Sequence, residues 1–157
     1  MPKGTLKLIA SIIVCQLAGI IGAYFTMPAI RTWYVTLNKP SFNPPNWIFG
    51  PVWTALYLLM GIALFLVWKK YDGSKGVKAA LSVFFIQLFL NTTWSILFFG
   101  MRNPLAGLVE IAALWIAILL TILSFYKISK TAAVLLLPYI LWVSFAAILN
   151  FYLWRLN

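Results

Sequence analysis

Histidine is absent from this 157-residue chain, acidic side chains number two, and the only cysteine is Cys15. Each shortage closes off a class of function. Without histidine there is no imidazole to ligate zinc or haem iron, and no histidine-based acid/base or triad chemistry. One cysteine permits neither an intrachain disulfide nor a thiolate cluster, so no resident metal or cofactor is expected. Glu110, the only acid inside an apolar run, lacks the second carboxyl or histidine that an acid/base pair needs. A structural, protonated or snorkelling role accounts for it as well as a functional one. Charge of either sign is scarce: 9% of residues are charged, against about a quarter in an ordinary globular domain.

Apolar surface is what the chain has in excess. Hydrophobic residues make up 64%, and the mean hydropathy is +0.98. A soluble globule of this size leaves too much surface exposed to hide them. Lipid is the solvent that suits the sequence. Crossing the hydrocarbon core takes about 20 apolar residues, and five segments qualify: residues 6–27, 47–68, 78–99, 104–126 and 131–154. In lipid the backbone must satisfy itself, which makes these runs helices. A barrel needs short alternating strands, and the runs do not alternate. The expected fold is all-α, an integral membrane bundle of five transmembrane helices forming one domain over residues 1–157. A signal peptide competes for Lys3, Lys7 and the run that follows. No small-residue cleavage pattern interrupts residues 8–25, so the run reads as a retained span.

The net charge of +10 would suggest nucleic acid in a soluble protein. Here lysines and arginines at span ends are topology signals, and no nucleic-acid partner is expected. Lys3, Lys7, Lys69, Lys70, Lys75, Lys78, Lys127 and Lys130 fall on one side, and Arg31, Lys39, Arg102 and Arg155 on the other. That bias puts the N-terminus in the cytoplasm, and in a prokaryote the membrane would be the cytoplasmic one. Asn103-Pro104 reads as an N-cap followed by proline at the first helical position. Asp72-Gly73-Ser74 marks a turn. Residues 128–130 are too short to do anything but join antiparallel neighbours. The longest connection, residues 28–46, is rich in proline and aromatics, which implies a folded lid over an internal pocket. Interface anchoring by Trp33, Tyr34 and Phe42 is the plainer account of the same residues.

Polar residues within spans need partners. Gln87, Asn91 and Trp94 are spaced i, i+4, i+7; Trp142, Ala146 and Asn150 are spaced i, i+4, i+8; Trp53 and Tyr57 are i, i+4. Each set shares one helix face. Interhelical packing alone would explain such stripes. A cavity lined by flat aromatics and a few amides would suit a large planar hydrophobic ligand. Small residues repeat every fourth position at Cys15, Gly19 and Ala23 and at Ala113 and Ala117, allowing close helix approach within or between chains. Leu149, Tyr152 and Arg155 fit a weak sterol-contact pattern that an aromatic belt with a terminal arginine also produces.

Several of these residues carry a resemblance. Trp33-Tyr34, Lys39-Pro40, Pro44-Pro45, Phe49-Gly50-Pro51-Val52-Trp53 and Leu56-Tyr57 resemble the first loop and second helix of the TspO/translocator protein family, the tryptophan-rich sensory proteins. The likeness continues through Gln87, Asn91-Thr-Thr-Trp94-Ser95 and Phe98-Phe99-Gly100 to Pro138-Tyr139, Trp142, Phe145-Ala146 and Leu149-Asn150. It runs nearly the whole chain in order. The resemblance implies a five-helix bundle, usually dimeric, that binds porphyrins such as protoporphyrin IX and haem and, in eukaryotic members, cholesterol. It implies a pocket beneath the first loop lined by Tyr34, Trp53, Tyr57, Gln87, Asn91, Trp94, Trp142, Ala146 and Asn150. Arg31 and Lys39 would meet the propionates. Some bacterial members degrade protoporphyrin in light, which would give Trp53 and Trp142 a catalytic role. Porphyrin or sterol transport is a further alternative, although the chain shows neither an internal repeat nor a carboxylate pair. The tyrosine of the animal sterol motif directly follows the asparagine. Here Phe151 takes that place and Tyr152 lies about 100° further round.

Overall fold

A computed structural model describes residues 2–157. All regular structure among them is helical. Helix α1 spans Lys3–Thr32, α2 Phe49–Trp68, α3 Lys75–Ser95, α4 Pro104–Tyr126, α5 Lys130–Leu135 and α6 Leu137–Leu156. A π turn, Ile96–Gly100, prolongs α3, and α5 with α6 makes the fifth traverse. Five helical stretches are therefore long and apolar enough to cross a membrane. The molecule is a multi-pass integral membrane protein. Its helices form a ring in which α1 lies between α2 and α3, α4 between α3 and α6, and α5 against α2.

Local chemistry sets the helix starts. Ser74, Asn103 and Ser129 accept hydrogen bonds from the backbone N–H groups of Val77, Ala106 and Ala132, so each caps its helix through otherwise orphaned donors. Pro104 follows its cap where a missing N–H costs nothing. In the Asp72 turn, Gly73 takes a φ of 83°. Hydrogen bonds from Ser74 hold the Asp72 carboxyl below its usual range.

Three boundaries differ from the sequence expectation. Helix α1 runs through Pro28 to Thr32, so the first loop is shorter than residues 28–46. Pro28 removes one backbone donor, yet the extra turn buries Ala29 and packs Ile30 and Trp33 against Phe98 and Leu153. Pro138, just inside α6, interrupts the last traverse at Leu136, which leaves the short α5 below the break. Helix α3 widens and underwinds at its end, where the Met101 N–H donates to the Ile96 carbonyl at 2.8 Å.

Small residues let α1 and α2 meet at backbone distance. A Cβ on Gly61 would lie 2.7 Å from Ile12 Cα, and one on Gly19 would lie 2.7 Å from the Tyr57 ring. The repeat Cys15, Gly19 thus serves packing within the chain. The lysine-rich segments share one end of the bundle. There the Lys7 ammonium sits 5.4 Å above the Trp68 ring, and Lys70 Nζ donates to the Ile128 carbonyl at 2.8 Å.

Candidate ligand-binding cavity

At the other end the first loop is docked, not loose. Tyr34 is buried, and its hydroxyl donates to Asn43 Oδ1 at 2.7 Å. Its ring meets Phe49 and Phe99 at 6.5 and 5.8 Å. Burial pushes the Tyr34 phenol up to about 12. The Lys39 ammonium lies 5.0 Å over that ring and donates to the Leu37 carbonyl. Phe42 packs edge-on against Tyr152 and Phe145. Asn38 and Asn157 are joined by two hydrogen bonds of 2.9 and 3.0 Å, which tie the loop to the end of α6.

Beneath the loop lies a cavity of about 270 Å³ walled by α1, α2, α3, α6 and the π turn. The helical stripes converge there. Phe49, Trp53 and Tyr57 of α2, Asn91 and Trp94 of α3, and Trp142, Ala146 and Asn150 of α6 all line it, together with Tyr34 and Leu149. Trp53 and Tyr57 are tilted neighbours at 5.7 Å, Trp94 stacks on Phe98 at 5.1 Å, and Trp142 meets Phe49 at 6.2 Å. Each pair sits within the range where ring quadrupoles favour contact.

Polar groups around the cavity are largely bound to one another. Tyr57 Oη donates to Asn91 Oδ1 (2.7 Å), Asn91 Nδ2 to Tyr139 Oη (2.6 Å), and Tyr139 Oη to Gln87 Oε1 (2.7 Å). Gln87 Nε2 ends the chain on the Met60 thioether at 4.0 Å. Trp94 Nε1 donates to Asn150 Oδ1, while Asn150 Nδ2 donates to the Pro104 carbonyl, stitching α3, α4 and α6 together. Among the fully buried polar atoms of the lining residues, the indole N–H of Trp142 has no partner.

Some expected site residues lie elsewhere. Gln87 is buried behind Tyr139 and does not reach the lining; it orients the chain from below. Arg31 and Lys39 are also outside the lining, Arg31 on the exposed side of α1 and Lys39 over the outer face of Tyr34. Leu149 faces the cavity, but Tyr152 is turned to Phe42 and Arg155 is exposed, so the three present no common surface. Glu110 is buried on α4 away from the lining, with both carboxyl oxygens unpartnered. Residues that sequence reasoning missed include Phe49 and Phe98, which extend the Trp53 and Trp94 stripes by one turn each. Gly19 and Ala23 of α1 also line the cavity, and no polar or aromatic signal marks them.

Fold and cavity define a class: a five-helix membrane protein with a tryptophan-walled chamber under a docked loop. The chain belongs to the TspO/MBR family, whose pattern matches residues 11–155. It is 52% identical to the tryptophan-rich protein TspO of Archaeoglobus fulgidus, over 97% of both chains. Identity with the protein of the same name from Chlorobaculum tepidum is 50%, over 100% of this chain and 99% of that one. With the translocator protein of Homo sapiens it is 38%, over 87% of this chain and 82% of that one.

Proposed function

We propose that the chamber binds a tetrapyrrole such as protoporphyrin IX, and that the protein acts as a membrane receptor or sensor for it. The observation that supports this reading most is the convergence of Trp53, Trp94 and Trp142 on one cavity with few free polar groups. Flat rings bury a flat ligand by stacking, and a small number of placed donors orients it. At about 270 Å³ the chamber is smaller than the macrocycle it would hold, because sites for drug-sized ligands run from about 300 to 1,000 Å³. The ring therefore enters by one edge and keeps its propionates at the loop end. Lys39, one side chain outward from Tyr34, would meet them there, with Arg31 beyond. The unpaired Trp142 N–H supplies a donor for a ligand acceptor.

Recognition by stacking does not require iron. The chain has no histidine, the Tyr34 and Tyr57 hydroxyls are bonded to Asn43 and Asn91, and the Met27 thioether is the one sulfur in the lining, a weak axial ligand by itself. Titration of purified protein with protoporphyrin IX and with haem, followed by tryptophan quenching, tests the reading. Similar affinities for both are expected, falling with added salt as the propionate contacts are screened. Failure of either ring to quench would reject the proposal, and a low-spin haem spectrum with far tighter binding would reject its stacking basis.

Light-driven oxidation of the bound ring is the second reading, favoured by Trp53 and Trp142 both bordering the chamber. Bleaching of the bound porphyrin under light and oxygen, with none in the dark, would establish it. Counterflow in vesicles would instead favour transport.

A further inference from the structure

Wherever α3, the π turn and α6 supply the lining of the chamber, its residues are buried or half-buried. The exposed lining residues all lie on one side. They are Ile20, Ala23 and Met27 of α1, Gly50 and Thr54 of α2, and Asn46 just before α2. Ile20 and Met27 are 63% and 55% exposed. The chamber therefore has a mouth in its wall, at the seam between α1 and α2. Gln16, Ile20, Ala23 and Met27 follow one another at helical spacing along one edge, and Gly50 and Thr54 along the other.

Packing explains why the seam gapes there. Nearer the lysine-rich end α1 is pressed against α2, at Ile12 on Gly61 and at Gly19 on the Tyr57 ring. Beyond Gly19 it leans on α3 and the π turn instead. A Cβ on Gly22 would lie 3.1 Å from Ser95 Oγ, and one on Gly100 would lie 3.0 Å from the Phe25 ring. Gly50, on the far edge, faces open space, with no atom within 4 Å of a Cβ placed there. A hydrogen bond from Gln16 Nε2 to the Thr54 carbonyl, 3.2 Å long, closes the foot of the mouth. From Gln16 to Met27 the α1 edge is about 16 Å long at the helical rise per residue. Both edges belong to membrane-crossing stretches, so the mouth opens into the bilayer. The way past the loop, by contrast, is shut by the Tyr34–Asn43 and Asn38–Asn157 bonds.

We propose that the chamber exchanges its ligand with the bilayer through this mouth while the docked loop stays shut. The inference rests on the tetrapyrrole reading above and adds the phase from which the ring is drawn, the leaflet at the loop end. A flat ring dissolved among acyl chains slides in edge-on, between Ile20 and Ala23 on one side and Gly50 on the other. It then reaches Trp53, which lines the chamber beside Gly50. Ile20, Ala23 and Met27 match the hydrocarbon outside, and the Gln16–Thr54 bond is the sill below which the ring does not pass. The ligand class narrows accordingly, to planar molecules that partition into lipid.

Stopped-flow tryptophan quenching by protoporphyrin IX, on the full chain in phosphatidylcholine vesicles, gives association and release rates as well as the equilibrium affinity. Gly50→Leu puts a side chain across the mouth where no atom has to move. It should slow association and release alike by about tenfold and leave Kd within about twofold, a rate change inside the range that variants of one site span. Ala23→Leu, on the facing edge, should do the same, which keeps the test open if Gly50→Leu does not fold. Ala113→Leu enlarges an exposed residue of α4 outside the lining and should change neither rate. Asn157→Ala, which loosens the loop from α6, should not speed exchange. Parent-like rates in both mouth variants, faster exchange in Asn157→Ala, or a lost affinity with release no slower would overturn the route. Absence of quenching in the parent is a different result, at equilibrium, and would reject the tetrapyrrole reading and this route with it.

Discussion

Trp142 lines the chamber with a buried donor that nothing in the chain accepts. Asn91, by contrast, is bonded on both sides, by Tyr57 and Tyr139. Trp142→Phe and Asn91→Ala should each weaken porphyrin binding by about 1–3 kcal/mol, or about five- to 150-fold in the dissociation constant. Trp115→Phe should leave it unchanged, because that indole donates to Ser144 outside the lining. Parent-like binding by all three variants would dissociate the chamber from the ligand. Tyr34 makes a different prediction, in pH. Its phenol ordinarily titrates at 10.0 and burial pushes it up to about 12. The folded protein thus holds the proton more tightly than the unfolded chain. This group's contribution to loop docking is complete below about pH 10 and fades as the pH rises towards 12. Tyr34→Phe should remove that component of an alkaline melting profile.

The contact between α1 and α2 depends on the absence of side chains at its crossing points. Gly61→Ala would drive a Cβ into Ile12 Cα at 2.7 Å, and overpacking of this kind typically costs about 1–3 kcal/mol. Gly50→Ala, with nothing within 4 Å, should leave the thermal midpoint where it was apart from a small helix-propensity gain. A matching fall in both variants would contradict the packing account. The positions of the spans were legible in the sequence because twenty-residue apolar runs have only one structural outcome in lipid. Helix ends were less so. Pro28 looked like a terminator, yet the contacts of Ile30 and Trp33 hold the helix together beyond it. The stripes on α2, α3 and α6 were visible because indoles and amides repeat at helical spacing. The α1 wall went unread because glycine, alanine and aliphatic side chains make up most of it, and its two polar members, Gln16 and Thr26, form no stripe with an aromatic.

Across the whole molecule, the N-terminal segment, the α2–α3 turn and the α4–α5 link gather at one end with eight lysines, while the docked loop and α6 terminus occupy the other. A reporter inserted in the Asp72 turn should therefore be cytoplasmic, and one placed after Asn157 through a flexible linker should be extracytoplasmic. The reverse result would invert the molecule without altering its fold. The hydrogen-bond chain Tyr57–Asn91–Tyr139–Gln87–Met60 couples three helices, and its last member sets its polarity. A thioether accepts and cannot donate, so Gln87 must turn its amide nitrogen to Met60 and its oxygen to Tyr139. Every group upstream is then oriented by the one below it, and Tyr57 spends its only proton on Asn91. At the floor of the chamber Tyr57 therefore turns only a lone pair to a guest, while the Asn91 amide keeps one N–H beyond the one given to Tyr139. A guest that reaches the floor with an N–H or O–H finds an acceptor in Tyr57, and one that arrives with a carbonyl has only the Asn91 amide to meet it.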